Sequence, residues 1–444
     1  MINREALREY TSASLWVLPT IAGVLALIVG SVMSQIDLGP GSLLAFQGTA
    51  DDARGLLIAI TGTVVTVIAL VLGLTVVALQ LASTQFSPRL LRNFLRDRPI
   101  QIVLSLFVAT FIYSTAGLFT VGVSSGTRIE EFPRLAVSGA MVLLFASLAA
   151  VVYFADHLAH AIQIDAITGR VERASLAVLS KDWPGQVEAA YSRPEWAVSL
   201  TSAHSGYIQT VHPELILPIA ARYGVTLRLR RRIGEHVVAG TKLVWIWRPN
   251  PTDPAPNPED FRRVVESAIR LGFERTLEQD VGFGIRQLVD IACKALSPAI
   301  NDPYTAVQAI DHLSVIFSKL GPRPLGDVFL RERDGVVILP SRRYDELLAT
   351  ACGLIRRYGS KEPTVLLALF RLLGNCIESV GDNPDRASAI HEQAELILAA
   401  GERDIAQPHD LIALRAGFEA VERHLPVGPA PDTAPAAPVS DAAR

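Results

Sequence analysis

The sequence contains few cysteines and no excess of basic residues. Its 444 residues include three cysteines, Cys293, Cys352 and Cys376, whose spacing is not that of a metal site or a redox pair. Lys and Arg number 41 against 44 Asp and Glu, which gives a net charge of -3. Because a nucleic-acid-binding surface needs a basic surplus, we expect no nucleic-acid partner. We interpret the cysteines as small buried side chains in a reducing compartment, where disulfides are rare.

Motifs that would identify an enzyme or a cofactor site are also missing. The sequence has no glycine-rich phosphate loop, no set of metal ligands and no nucleophile with an identifiable base. His157 and His160 can share a helix face, but no third ligand accompanies them. We therefore expect no metal, no cofactor and no enzymatic activity. A hydrolase remains an alternative that would require Asp290, Asn301 and Asp302 to meet in one cleft.

Charge is absent from four long apolar stretches in the first third of the chain. They cover residues 15–36, 56–85, 100–123 and 135–155, and none of them contains Lys, Arg, Asp or Glu. Each is near or above the ~20 residues that a helix needs to cross ~30 Å of hydrocarbon, where backbone polar groups must be satisfied within the segment. Residues 1–160 are therefore predicted to form a transmembrane domain of four helices in the lipid bilayer.

The connections between these stretches predict the orientation of the chain. The second connection carries the densest arginine cluster of this region, Arg89, Arg92, Arg96 and Arg98. The other two connections have no basic excess, so the positive-inside rule places the second one in the cytoplasm together with both termini. Arg89, Arg92 and Arg96 also share one face of a short amphipathic segment. This face predicts an interfacial helix on anionic lipid headgroups or, alternatively, an ordinary basic loop.

Small and polar residues in the second stretch recur at helical spacing and share one face. The candidates for this face are Gly62, Thr66, Gly73, Gln80 and Thr84. Small side chains let helices approach closely, and hydroxyl groups can hydrogen-bond across helices, so helix packing is one interpretation. The other is a pore-lining face with room for water. The two interpretations are compatible if the helices that pack together belong to different subunits.

The absence of charge within the stretches also bears on mechanism. Proton-coupled pumps and many ion-coupled carriers place a carboxylate or a histidine within the bilayer to hold the coupling ion. Passive conduction or a purely structural membrane domain therefore fits better than active transport. Since four helices are few to enclose a water-filled path, a pore would be shared by several protomers, which predicts a homo-oligomer.

The remainder of the chain is soluble in character and is predicted to be a cytoplasmic α+β region. Residues 161–248 combine a linker helix with a small β module, in which SGYIQ and GEHVVAGTKL resemble the half-repeats of a barrel-sandwich hybrid. No lysine stands at a hairpin tip between them, so a covalent lipoyl or biotinyl role is not expected. Residues 249–258 read as a proline-rich linker, 259–424 as a mainly helical domain, and 425–444 as a disordered tail.

A dense polar stretch opens the helical part. Within LEQDVGFGIRQLVDIACKALSPAINDPYTA, Arg286 and Asp290 begin a charge ladder on one helix face. Ser297 and Asp302 each precede a proline, which predicts two helix starts and a tight break between them. Asn301 and Asp302 could bind a cation or a ligand, or could satisfy free N–H groups of the next helix.

These residues also resemble a known family. QLASTQFSPRLLRNFLRDR, the SGYIQ section and RTLEQDVGFGIRQLVDIACKALSPAINDPYTA together resemble DUF2254, a bacterial family of uncharacterised integral membrane proteins, over nearly the whole chain. The resemblance implies a four-span inner-membrane protein with a cytoplasmic domain and no settled activity. It points to a set of signature positions without roles: Glu274, Arg275, Thr276, Gln279, Asp280, Arg286, Asp290, Ser297, Asn301, Asp302 and Thr305.

Two hypotheses about function follow. The first is an oligomeric protein of the bacterial inner membrane with a channel-like or permeation function and a cytoplasmic domain for gating or assembly. The second is a non-conducting, membrane-anchored sensor or scaffold that binds a small ligand or a protein partner. Conductance of the purified protein in liposomes distinguishes them.

Overall fold

The protein is described by a computed structural model that divides into two compact units. They comprise Met1–Ile167 and Thr168–Arg444. The described residues are 16–36, 42, 44–85, 98–121, 132–161, 163–181, 186–188 and 193–425, with only the backbone described at 81–85, 120, 161 and 186–188. The predicted interfacial segment with Arg89, Arg92 and Arg96 and the predicted tail after residue 425 lie outside the described residues.

Four helices of the first unit correspond to the four apolar stretches. They are α1 Val17–Met33, α2 Ala50–Gln85, α3 Arg98–Thr120 and α4 Arg134–Ala161. The second helix has 36 residues. At 1.5 Å per residue it is about 54 Å long and exceeds the thickness of a hydrocarbon core.

Within the described chain, four helices are long and apolar enough to cross a membrane, but one of them lies in the second unit. They are Ala50–Gln80, Arg98–Phe119, Arg134–His160 and Pro363–Val380. The apolar side chains of Pro363–Val380, such as Leu366, Leu369 and Leu373, are fully buried within that unit, so its composition is that of a core helix. The helix α1, with 17 described residues, is slightly shorter but more suited to lipid because its large side chains are exposed.

The third helix is the centre of the first unit and packs against the other three. Gly23 and Gly30 of α1 contact Ile112 and Tyr113 of α3, and neither glycine has room for a larger side chain without movement. The Tyr113 hydroxyl donates to the carbonyl of Ala136 at 3.0 Å. Small residues and hydroxyl groups therefore hold α3 against its neighbours, as expected for helices in lipid.

An arginine joins the ends of the first and third connections. The Arg134 guanidinium donates to the carbonyl oxygens of Phe46 at 2.7 Å and Gly48 at 3.0 Å, and it lies 4.6 Å from the centre of the Phe132 ring. Residues 46–48 precede α2, and Arg134 begins α4. The two connections thus end at the same end of the bundle, which is the arrangement that alternating membrane crossings require.

The second unit contains two β-sheets. The strands are β1 Gln186–Glu188, β2 Val198–Thr201, β3 Gly206–Val211, β4 Thr226–Leu229, β5 His236–Val237, β6 Lys242–Trp247, β7 Ile269–Gly272, β8 Asp327–Glu332 and β9 Gly335–Leu339. A six-stranded sheet has the order β1-β8-β9-β4-β6-β2, and a three-stranded sheet has the order β5-β3-β7. All neighbours are antiparallel except β4 and β9. The hairpin of β8 and β9 turns at Asp334.

The strands of the predicted small β module are divided between these sheets. β3 and β5 belong to the three-stranded sheet, whereas β2, β4 and β6 belong to the six-stranded one. Each sheet also includes strands that follow residues 249–258 in the chain. This proline-rich segment therefore lies between strands that belong to the same sheet. The similarity of the module to a barrel-sandwich hybrid stays a prediction. One core that contains Ile208, Leu227 and Val244 joins the strands to two helices.

Nine helices of the described chain belong to the second unit or lead into it. They are α5 Ile164–Leu179, α6 Pro213–Tyr223, α7 Glu259–Ala268, α8 Val281–Ala295, α9 Pro303–Leu320, α10 Tyr344–Tyr358, α11 Pro363–Val380, α12 Pro384–Asp404 and α13 Pro408–His424. In the helical part α9 packs against α8 and α11. Cys352 and Cys376 are fully buried, as predicted, whereas Cys293 is only half-buried.

Candidate functional site

The signature residues fall into two groups at opposite ends of α8. The group before its first turn comprises Glu274, Arg275, Thr276, Gln279 and Asp280. The group after its last turn comprises Ser297, Asn301, Asp302 and Thr305, and Arg286 and Asp290 lie on the helix between the groups. Because α8 has 15 residues, about 22 Å separates the groups. The signature therefore does not form one site.

Two glutamine side chains attach the first group to β3. Gln279 accepts a hydrogen bond from the Val211 backbone N–H at 2.8 Å and donates to the Val211 carbonyl at 3.2 Å. In the same way, the Gln209 amide donates to the Glu274 carbonyl at 2.9 Å. The loop before α8 thereby continues the hydrogen bonding of the three-stranded sheet.

Asp280 is a buried carboxylate with several partners. Only 5% of the residue is exposed. One oxygen accepts the Phe283 backbone N–H at 3.1 Å and caps α8, and the other accepts the Arg275 guanidinium at 2.6 Å. Gly234, with φ of +84°, approaches this carboxylate so closely that a side chain there would collide with it. Removal of either charged partner would leave the other without compensation in a buried place, which is strongly destabilising.

Two glycines of the VGFG sequence make close contacts with other elements. A Cβ atom at Gly284 would collide with the Ser175 hydroxyl of α5. A Cβ atom at Gly282 would lie 2.9 Å from the Nε of Arg342. A carboxylate of α5, Glu172, also lies 2.5 Å from the imidazole of His312 in α9. α5 and the segment before α10 therefore both contact the first turn of α8.

The second group forms the connection from α8 to α9. Asp302 caps α9, since its carboxylate accepts the Thr305 backbone N–H at 3.1 Å and the Thr305 hydroxyl at 2.7 Å. These hydrogen bonds, the one from the hydroxyl above all, hold the pKa of Asp302 below its usual value. Asn301 is exposed and adopts a positive φ of 51°, a conformation that asparagine tolerates in turns.

The prediction of a helix start at Ser297 is wrong. α8 ends at Ala295, residues 296–302 form a turn, and only Asp302 begins a new helix. The Ser297 hydroxyl donates to the Lys294 carbonyl at 2.7 Å, which satisfies an acceptor in the last turn of α8. Asp290 accepts from Arg286 at 2.8 Å, as the predicted charge ladder requires.

Two neighbouring cavities open beside the first group. One has a volume of about 250 Å³ and the other about 310 Å³, and both are lined by Val178, Lys181 and Gln279. Asp280, Gly282 and Arg342 line the smaller cavity. Asp290, Asn301 and Asp302 line neither of these two cavities, so the residues proposed for a hydrolase do not meet in them. Among the described residues, no group of three or more His, Cys, Asp or Glu could hold a metal ion.

The candidate pore face of α2 points away from its own unit. Gly62, Thr66, Gly73 and Gln80 are exposed, and no atom lies within 4 Å of a Cβ position built on either glycine. At 3.6 residues per turn these four residues lie within about 40° of one another. The buried residues of α2 lie on the opposite face and comprise Ala53, Leu57, Ile60, Val64, Val71 and Ala78. At Thr84 only the backbone is described.

A family model with the description "Predicted membrane protein (DUF2254)" matches residues 12–375. The chain belongs to this family. It is 44% identical over 451 residues to an uncharacterised protein of Mycobacterium bovis and, to the same extent, to an uncharacterised protein of Mycobacterium tuberculosis. Each alignment covers 98% of this chain and 86% of the relative. No solved structure matches the chain.

Sequence reasoning missed the residues that complete the smaller cavity of this DUF2254 protein. Arg232, Arg323 and Arg342 line it but lie far along the chain from Gln279 and Asp280. The one local indication is the pair of glycines in VGFG, because closely spaced glycines in a helix suggest a close approach by another element.

Proposed function

We propose that the protein is an oligomeric, channel-like protein of the bacterial inner membrane. The observation that carries the proposal is the exposed face of Gly62, Thr66, Gly73 and Gln80 on α2, opposite the buried face of the same helix. In this proposal, the face lies against other protomers and lines a path that they share.

The composition of the face is costly if lipid covers it. Each glycine lowers helix stability by about 0.5–1 kcal/mol relative to alanine, and the Gln80 amide in hydrocarbon lacks partners. Many other exposed side chains of α2 are large and apolar, as Ile58, Leu72 and Val76 illustrate. A second copy of the helix removes this cost, because small residues let backbones approach and amides can pair across the interface.

The polar groups of the face fit passive conduction. The Thr66 hydroxyl donates to the Gly62 carbonyl at 3.0 Å, which leaves its lone pairs able to accept from water or a hydrated ion. The centres of α2, α3 and α4 contain no Asp, Glu, His, Lys or Arg that could hold a coupling ion. We therefore expect flow down a gradient without coupling.

Conductance in liposomes tests this function. The purified full-length protein should pass ions across the bilayer, and Gln80→Leu should reduce the current severalfold by removing a polar group from the path. Thr63→Leu is the control, because Thr63 is exposed on the same helix about 100° from Gln80. Absence of current under voltage, tension and varied ions contradicts the proposal.

Orientation is a second part of the proposal, with both termini and the second unit in the cytoplasm. A membrane-impermeant maleimide should label Asp51→Cys in intact spheroplasts and Asp382→Cys only after lysis. The native thiols react slowly, because burial raises the pKa of Cys376 to about 12 and that of Cys293 to about 11. The reverse labelling pattern contradicts this orientation. Contact of Arg89, Arg92 and Arg96 with anionic lipid headgroups belongs to the same proposal.

A non-conducting sensor or scaffold is the second candidate function. The observation that favours it is the pair of neighbouring cavities in the second unit, of which the larger, at about 310 Å³, reaches the lower end of the size range of small-molecule sites. Protein that binds a ligand there but carries no current would support this alternative.

A further inference from the structure

The smaller cavity of the second unit has a strongly basic lining. Its walls come from the end of α5, the first turn of α8 and the segments on either side of the β8–β9 hairpin. The basic side chains in the lining are Lys181, Arg232, Arg323 and Arg342. Asp280 is the one acidic side chain among the described lining residues. The cavity therefore carries a positive charge and favours an anion.

The acidic side chain of the lining does not offset this charge. Its carboxylate is already bonded to Arg275, which does not line the cavity, and to the backbone of Phe283. Of the four cations, Arg232 is held by Glu346, with hydrogen bonds of 2.6 and 3.1 Å. This pair fixes the wall and neutralises the charge of Arg232, so the positive charge available to a ligand is that of Lys181 and Arg342.

Of the cations in the lining, Arg342 packs closely against the first turn of α8. The Cδ and Nε atoms of Arg342 lie against Gly282, and a residue with a side chain at that position would collide with them. The N-terminal end of a helix carries partial positive charge, so the guanidinium adds to a positive region. The Nε atom of Arg342 is buried and has no hydrogen-bond acceptor among the described residues.

Much of the rest of the lining is apolar. Ile233, Val328, Leu339 and Leu347 face the same space as the cations. A volume of about 250 Å³ accommodates an anionic group together with one small ring or short chain. The chemistry of the lining thus requires both a charged and an apolar part of the ligand.

We propose that this cavity binds a small organic phosphate, with the phosphate at Arg342 and Lys181 and a compact apolar group against Ile233 and Leu347. Arginine suits phosphate because its planar group can donate two parallel hydrogen bonds. The site is independent of conduction through the first unit. It gives Gln279 and Asp280, two of the signature residues, the role of shaping the wall of a binding site.

Phenyl phosphate is a suitable probe, because it combines both parts of the ligand. Its binding to the full-length protein in detergent micelles can be followed by ³¹P NMR line broadening, with inorganic phosphate and benzyl alcohol as the two half-probes. Phenyl phosphate should bind at least tenfold more tightly than either half. Displacement by dihexanoyl phosphatidic acid would identify a lipid phosphate as the source, and lack of displacement a soluble one.

Variants of the basic residues decide whether the probe occupies this cavity. Arg342→Gln and Lys181→Gln should each weaken phenyl phosphate binding by about tenfold. Lys181 is exposed at the end of α5, so its variant tests the site without disturbing a packed residue. Arg357→Gln, an exposed arginine of α10 that does not line the cavity, is the control and should bind normally. No binding, or equal binding by all four proteins, overturns the proposal, and neither result affects the conductance test.

Discussion

Replacement of Gly62 and Gly73 by leucine should dissociate the proposed oligomer into protomers. Neither position has an atom within 4 Å of its Cβ within the protomer, so leucine there meets no steric barrier to folding. Between protomers, the same side chains would hold the helices apart and remove the contacts that small residues permit. We expect the dissociation constant in detergent to rise at least tenfold, which corresponds to about 1.4 kcal/mol.

Light scattering coupled to size-exclusion chromatography measures this effect on purified protein. Thr63→Leu changes another exposed position of α2 and should leave the mass unchanged. If Gly62→Leu/Gly73→Leu and the unchanged protein have the same mass, the face does not hold protomers together. In that case the exposed face of α2 contacts lipid.

Asp280→Ala should be the most destabilising single change among the signature residues. It removes the cap of α8 and leaves the guanidinium of Arg275, about one-fifth exposed, without its carboxylate. Loss of one partner of a buried ion pair costs about 3–5 kcal/mol, which would lower the melting temperature of the second unit by roughly 5–15 °C. Circular dichroism of the full-length protein during heating measures it.

Two variants separate the contributions of charge and cap. Asp280→Asn keeps an acceptor for the Phe283 N–H but loses the charge, so its effect should be intermediate. Asp302→Ala removes the half-buried cap of α9 and should cost about 1 kcal/mol. Equal melting temperatures for Asp280→Ala and Asp302→Ala would contradict a structural role for the buried pair.

The sequence predicts the membrane helices well but does not predict which face of α2 is covered. Helical spacing places Gly62, Thr66, Gly73 and Gln80 together in any helix. Because lipid and protein interior are both apolar, the composition of α2 cannot tell a face that packs on α3 from one that points outward. The contacts of Leu57 and Val64 in the folded bundle supply that information.

Short motifs and long-range contacts differ in how far they can be predicted from the sequence. Ser297 and Asp302 have the same pattern before a proline, but only Asp302 caps a helix, since the Ser297 hydroxyl is bonded to the preceding turn. Arg342 reaches the cavity because β8 and β9 return the chain to α8. Likewise, the composition of residues 249–258 indicates a break in regular structure. It does not indicate that the strands beyond it join the earlier sheets.

Disulfide cross-linking in native membranes tests most directly whether the exposed face of α2 meets another protomer. In a chain with Cys293→Ser, Thr66→Cys should form a covalent dimer under mild oxidation, because small residues bring facing helices close enough for a disulfide. Thr63→Cys, on the neighbouring face, should remain monomeric. Efficient dimer formation by Thr63→Cys with none by Thr66→Cys would contradict the proposed assembly.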